Sequence, residues 1–257
     1  MSDIDTIETV ACAVVQAGGA ELRRRYYNGE TSGDYGTHDV KAAADKAAEA
    51  QMLPIVRQAF PNHAVFAEEA GTFSGSTPYR WVIDPLDGTN NFTAGLPTFS
   101  SSVAVLNNGE PVLAATNQAA TGETYVARRD AGVHYEGQQV TAESDVDIEA
   151  ATVATIVGRD VPRDSDLANQ ADALRDALGG TVKRVVDSWA PTVHSGLFAR
   201  GKLQGLVQFH PDEEEQPVTE LLATEAGAVD RRDGPLYVAA YDEEALDALW
   251  SAIKENR

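Results

Sequence analysis

A strand-like run that ends in paired acids, Arg80-Trp81-Val82-Ile83 followed by Asp84-Pro85-Leu86-Asp87-Gly88-Thr89-Asn90-Asn91-Phe92, limits what this chain can become. Acids are almost never fully buried unless they are paired. A strand that delivers two of them at its end, ahead of a polar turn, points to a site rather than to core. Asp84 and Asp87, with Leu86 between them, can direct two carboxylates and one backbone carbonyl toward a common point. Gly88 lets the backbone pass close to a ligand with no Cβ in the way. A helix that starts over Thr89-Asn90-Asn91 would offer free N–H groups to an anion. Hard divalent cations such as Mg²⁺ take oxygen ligands from a few carboxylates and leave room for a phosphate. The same residue types also build an ordinary capped turn, and spacing alone leaves that alternative open.

Bulk properties narrow the setting. At 257 residues the chain can bury roughly 75% of its unfolded surface, so it needs no staples. Its single cysteine, Cys12, stands in an apolar helical stretch and is expected to be a core thiol. The acidic start lacks the basic region of a signal peptide, and no apolar run nears the ~20 residues of a membrane span. A soluble cytoplasmic protein with no membrane partner is expected. Forty acids stand against twenty bases, a formal charge of −20. A nucleic-acid partner is disfavoured, because a polyanion needs a basic footprint. Such a surface fits a salty, halophilic cytoplasm, where molar salt shortens the Debye length to ~3 Å and screens self-repulsion. The alternative is a surface that binds cations or basic proteins.

Periodicity predicts a helix over 5–26, with Gly18 and Gly19 breaking its apolar stripe at about 1 kcal/mol each. Residues 27–38 read as a Gly-rich polar loop and a candidate lid. A second helix is expected over 39–60, interrupted or kinked near Pro54. His-Ala-Val-Phe-Ala (63–67) reads as a short strand that runs into Glu68 and Glu69. From 99 to 140, short β-prone runs between turns predict an antiparallel sheet. Past 150 strands alternate with helices, as in α/β proteins. The expected organisation is an α+β half over 1–145 that carries the acidic motif, and an α/β half over 146–257 with the substrate-side elements.

Taken together, Trp81-Val-Ile-Asp-Pro-Leu-Asp-Gly-Thr-Asn-Asn-Phe92 resembles the metal-and-phosphate signature of the inositol monophosphatase family. Phe60-Pro-Asn-His-Ala-Val-Phe-Ala-Glu-Glu-Ala-Gly71 is similar to the segment with that family's metal-binding Glu pair. Asp39-Val-Lys-Ala-Ala-Ala-Asp45 resembles its D-x-V-T-x-x-D helix, and Thr219–Val229 its E-A-G-G helix. The resemblance implies a layered αβαβα sandwich, shared with fructose-1,6-bisphosphatase, and a Mg²⁺-dependent phosphomonoesterase that is often a homodimer. It implies two or three Mg²⁺ ions. Glu68, Asp84 and the Leu86 carbonyl would hold the first, and Asp84, Asp87 and an acid from the C-terminal half the second. Asp45 and Thr89 would orient and deprotonate the attacking water, and the Gly88 and Thr89 amides would bind the phosphate.

The departures fall on the substrate side. Lys41 and Ala42 replace the family's Val-Thr, and Glu215 aligns with the C-terminal metal aspartate inside Asp212-Glu-Glu-Glu215. Trp189-Ala190-Pro191 replaces the hydroxyl-contacting G-[ST]-A motif, so Trp189 is expected to face substrate. Gln208 aligns with a substrate-facing glutamate. A small sugar or polyol phosphate is the expected substrate. Inositol 1-phosphate, fructose 1,6-bisphosphate and a nucleotide 3′-phosphate are not ranked. The alternative is a catalytically weakened regulatory homologue. Glu215 can also be read as a helix-end acid that the dipole favours by roughly 0.3–1 kcal/mol without any metal.

Overall fold

The structure, a computed structural model, describes residues 3–35, 40–187 and 189–255. Helix α1 (Asp3–Tyr27) opens the chain, and strands β1 (Gly33–Tyr35) and β2 (Val40–Ala42) form an antiparallel pair ahead of α2 (Ala43–Ala59). Then come β3 (Ala64–Ala67), β4 (Gly71–Phe73), β5 (Tyr79–Asp87), the six-residue α3 (Thr89–Ala94) and β6 (Ser100–Asn107). The antiparallel run continues with β7 (Glu110–Gln118), β8 (Glu123–Arg128), β9 (Gly132–Tyr135) and β10 (Gln138–Val140). The C-terminal half holds β11 (Thr152–Val157), α4 (Ser165–Thr181), β12 (Arg184–Val186), α5 (Pro191–Ala199), β13 (Gly205–Phe209), α6 (Gln216–Glu225), β14 (Val229–Asp233), β15 (Leu236–Ala240) and α7 (Glu243–Glu255).

These elements stack in five layers. Helices α1 and α2 cover one face of an eight-stranded sheet, ordered β10-β9-β8-β7-β6-β5-β3-β4, through Ile7, Val14, Met52, Trp81 and Val103. Helices α5 and α6 lie between that sheet and a five-stranded one, ordered β12-β11-β13-β15-β14. There Tyr125, Phe198, Leu222 and Tyr237 share one apolar cluster. Helices α4 and α7 close the outer face through Leu174, Leu178, Leu246 and Leu249. Because both sheets are covered on both faces, their central strands are buried along nearly their whole length rather than on alternate residues. This is the expected αβαβα sandwich. No helix among the described residues is long and apolar enough to cross a membrane.

Three local expectations need correction. Helix α1 runs unbroken through Gly18 and Gly19, because that pair is where it comes closest to its neighbours. A Cβ on Gly18 would stand 2.5 Å from Met52 Sδ, and one on Gly19 would stand 1.9 Å from Asn117 Oδ1. Pro54 sits inside α2 without ending it. The stretch ahead of Asp45 is strand β2 rather than helix, since Val40–Ala42 pairs with Gly33–Tyr35. The expected lid is therefore partly a hairpin strand, while residues 36–38 lie outside the described residues.

Gly19→Ala is expected to destabilise the fold by about 1–3 kcal/mol through overpacking, although alanine gains about 1 kcal/mol in an open helix. Asn117 cannot swing away cheaply, since its Nδ2 donates to Gly122 O at 3.1 Å and to Thr124 Oγ1 at 3.0 Å. Urea denaturation with an unshifted or raised midpoint would contradict the close-packing account.

Candidate active site

Two parallel strand pairs, one in each sheet, aim their C-terminal ends at the same cleft. In the first sheet β3 runs parallel to β5 with Ala67 opposite Ile83, so Glu68 emerges beside Asp84. In the second, β11 runs parallel to β13 with Val157 opposite Phe209, so the turns after Val157 and after Phe209 also meet. Strand C-terminal ends are where open α/β sheets form crevices, because the chain leaves them through loops while helices cover the faces. Asp45 reaches the cleft from the first turn of α2. Asp45, Glu68, Asp84, Asp87, Thr89 and Glu215 all line it.

Strand β5 breaks its pairing register with β6 between Asp84 and Asp87. That irregularity lets acids three residues apart point to one side. Asp84 Oδ1 accepts the Leu86 N–H at 3.0 Å, which folds the turn back on itself. Gly88 follows with φ 88°, a left-handed conformation that favours glycine, and a Cβ there would lie 2.9 Å from Thr98 O. Helix α3 then begins at Thr89. The Thr89 hydroxyl is 3.1 Å from Leu86 O and 3.3 Å from Asp45 Oδ1, so its single proton is shared between them.

Carboxylate oxygens of Asp84, Asp87 and Glu215 all lie within 4.8 Å of one another. Asp87 is held hard on one side only. Its Oδ2 accepts from Thr192 N at 2.8 Å, Thr192 Oγ1 at 2.6 Å and Ser100 Oγ at 3.2 Å. Its Oδ1 is buried without a hydrogen-bond partner among the described residues. An orphaned buried carboxylate oxygen is costly unless something cationic meets it. The donor set, all hard oxygen, fits a divalent cation such as Mg²⁺.

Glu215 separates its two readings by geometry. It stands immediately before α6, yet its side chain makes no capping hydrogen bond. Its carboxylate joins Asp84 and Asp87 instead.

Electrostatics agree with a cation-shaped deficit. Burial, then the Asp45 charge, pushes Glu68 up to about 7. Burial raises Asp87 to about 6 despite the hydrogen bonds from the Thr192 hydroxyl and N–H, the Ser100 hydroxyl and the Val193 N–H that hold it down. Asp84 and Glu215 are also raised well above the usual carboxylate range, by burial first and neighbouring acids next. Carboxylates this close without a cation favour protonation, and a bound divalent ion reverses that preference.

The sequence profile of the inositol monophosphatase family matches residues 3–255. The chain belongs to that family. It is 25% identical over 233 residues to a fructose-1,6-bisphosphatase/inositol-1-monophosphatase of Aquifex aeolicus, covering 89% of this chain and 86% of that protein. It is 31% identical over 149 residues to the Nus factor SuhB of Vibrio cholerae, covering 57% of this chain and 56% of that relative, so the match spans little more than half of either. The inositol monophosphatase of Anabaena superposes with a TM-score of 0.84 at 22% identity, covering 100% of this chain and 98% of that one. That likeness is one of fold.

Within this family frame, one sequence expectation fails. Gln208 lies inside β13, is wholly buried and does not line the cleft. Its Nε2 donates to Thr219 Oγ1 of α6. It stands within the strand, with both sheet faces covered, so it faces the helical layer and not a ligand. Trp189 does line the cleft, 43% exposed and at φ 50°.

Three contributors were not legible beforehand. Thr192 and Ser100 anchor Asp87 from α5 and β6, and buried Glu49 accepts the Glu69 N–H at 2.7 Å, steadying the turn that presents Glu68. Helical spacing places Glu49 one turn after Asp45, the only signal available for it. Thr192 and Ser100 are ordinary residues 92 positions apart.

Proposed function

We propose that the protein is a divalent-cation-dependent phosphomonoesterase that hydrolyses a small sugar or polyol phosphate. The observation that carries this reading is the convergence of Asp84, Asp87 and Glu215 around a buried, unpartnered Asp87 oxygen. Mg²⁺ held there by Glu68, Asp84, Asp87, Glu215 and the Leu86 carbonyl would supply Lewis-acid activation and offset phosphate charge. The chain's own groups account for the rest. Asp45 and the Thr89 hydroxyl form the pair that orients the attacking water and takes its proton. The Gly88 and Thr89 amides hold the phosphate in line for displacement. Trp189, Ala190 and Pro191 wall the region where the alcohol half of the ester would lie.

Glu215→Gln is expected to raise the Mg²⁺ concentration needed for half-maximal activity at least tenfold, about 1.4 kcal/mol. It should not lower the melting temperature in EDTA, because it removes an acid whose ionisation the buried cluster disfavours. A lower metal-free melting temperature with unchanged Mg²⁺ dependence would restore the helix-end reading.

A second reading, that of a regulatory homologue with weakened catalysis, draws on the relatives named as Nus factors. Turnover of a panel with Mg²⁺ or Mn²⁺ decides between them: inositol 1-phosphate, fructose 1,6-bisphosphate and a nucleoside 3′-phosphate. Metal-dependent release of phosphate from at least one ester is expected. Stoichiometric metal binding with no turnover of any would favour the regulatory reading.

A further inference from the structure

Arg159, which no motif singles out, lies across the mouth of the acidic cleft. Its Nη1 is 3.4 Å from Glu68 Oε1, its Nη2 is 3.2 Å from Glu214 Oε1, and its Nε is 3.8 Å from Asp212 Oδ1. Its backbone N–H donates to Asp212 Oδ2 at 3.2 Å. Backbone packing places it there. A Cβ on Gly158 would fall 1.8 Å from His210 O, so the end of β11 presses on the turn after β13 and brings Arg159 beside Asp212. It is the basic residue among those that line the cleft, surrounded there by acids.

Exposed ion pairs are usually worth little, and Arg159 is 41% exposed. Here the partners are not exposed to the same degree. The Glu214 side chain is 12% accessible and Asp212 18%. Glu68 is shared: it pairs with this guanidinium, and it is also one of the carboxylates proposed to hold the cation. A guanidinium never loses its charge, so it cannot step aside by deprotonation. A cation arriving at Glu68 must compete with it.

We propose that Arg159 is a tethered counter-ion of the cleft: it neutralises Glu68 in the metal-free protein and must yield that carboxylate when a divalent cation binds. The residue therefore supports the empty fold and weakens metal affinity, setting the cation concentration at which the site fills. The inference rests on the metal reading of Asp84, Asp87 and Glu215 given above.

The test is Mn²⁺ binding by electron paramagnetic resonance on chelator-stripped protein, with the melting temperature in EDTA as a second readout. Arg159→Gln is expected to bind Mn²⁺ about tenfold more tightly than the unaltered protein and to melt lower without metal. Arg159→Lys, which keeps the charge, should stay within about threefold in affinity. Unchanged or weaker binding by Arg159→Gln overturns the proposal. If the unaltered protein binds Mn²⁺ and Asp84→Asn does not, the metal reading survives that outcome. If the unaltered protein binds no Mn²⁺, both fall together. Should Arg159→Gln unfold in EDTA but fold with Mn²⁺, the cation is replacing the guanidinium and the proposal stands. Failure to fold in either condition assigns Arg159 a purely structural role and overturns it.

Discussion

Asp84→Asn is expected to lower metal-dependent hydrolysis at least about 1,000-fold, about 4 kcal/mol of transition-state stabilisation. Asp84 is buried beside Glu68 and Asp87, so its charge counts toward any cation placed among them. The amide keeps the shape and can keep one contact, since its Oδ1 can still accept the Leu86 N–H. It lacks the charge that a hard cation requires. Metal-free stability should hold or rise, because one of several mutually repelling carboxylates is gone. That combination separates a ligand from a structural acid. Steady-state turnover across a Mg²⁺ titration, paired with melting in EDTA, reads both. Near-full activity of Asp84→Asn in chelator would remove the cation from the mechanism.

The metal-free protein should melt about 5 °C lower at pH 8 than at pH 6.5. Glu68 is raised to about 7 and Asp87 to about 6, and Asp84 and Glu215 are also raised well above the usual carboxylate range. A carboxyl whose folded pKa exceeds its unfolded one stabilises the fold fully below the unfolded pKa. That contribution is lost as pH climbs through the folded value. For Glu68 and Asp87 the loss falls at about pH 6 to 7. The lower limit of the comparison is chosen for His194, whose burial depresses it to about 4. Its effect has the opposite sign, since stability is lost as pH falls from about 6.5 toward 4. Saturating Mg²⁺ should flatten or reverse the slope, because the ion takes over the role of the protons. A melting temperature that rises from pH 6.5 to 8 in EDTA would mean that the cluster is not short of positive charge.

The reach of the sequence is clearest where the determining contacts are local. The turn at 84–88, the start of α3 at Thr89 and the placement of Glu68 after β3 follow from side chains within a few residues of one another. The antiparallel run over 100–140 follows equally well, because short strands separated by Gly and Asn turns pair with their neighbours. Alignment singled out both Glu215, whose carboxylate the fold brings near Asp84 and Asp87, and Gln208, which does not line the cleft. Counting positions cannot tell a residue that ends a strand from one still inside it. The same limit explains Gly18 and Gly19. Propensity treats them as helix breakers, whereas Met52 and Asn117, 34 and 98 residues further on, make their missing side chains necessary.

From the sequence alone came the acidic strand-end motif, the strand–helix alternation of the second half and the hard-oxygen character of the site, since each depends on composition and short spacing. The layered sandwich was implied by the resemblance to the family. Only the tertiary structure decided that Glu215 turns toward Asp84 and Asp87, that Thr192 and Ser100 grip one Asp87 oxygen and leave the other bare, and that Arg159 bridges Glu68 to Asp212 and Glu214. The reason is physical. Those contacts join segments 13 to 131 residues apart, and burial at the meeting of two sheets, not local preference, sets their energies.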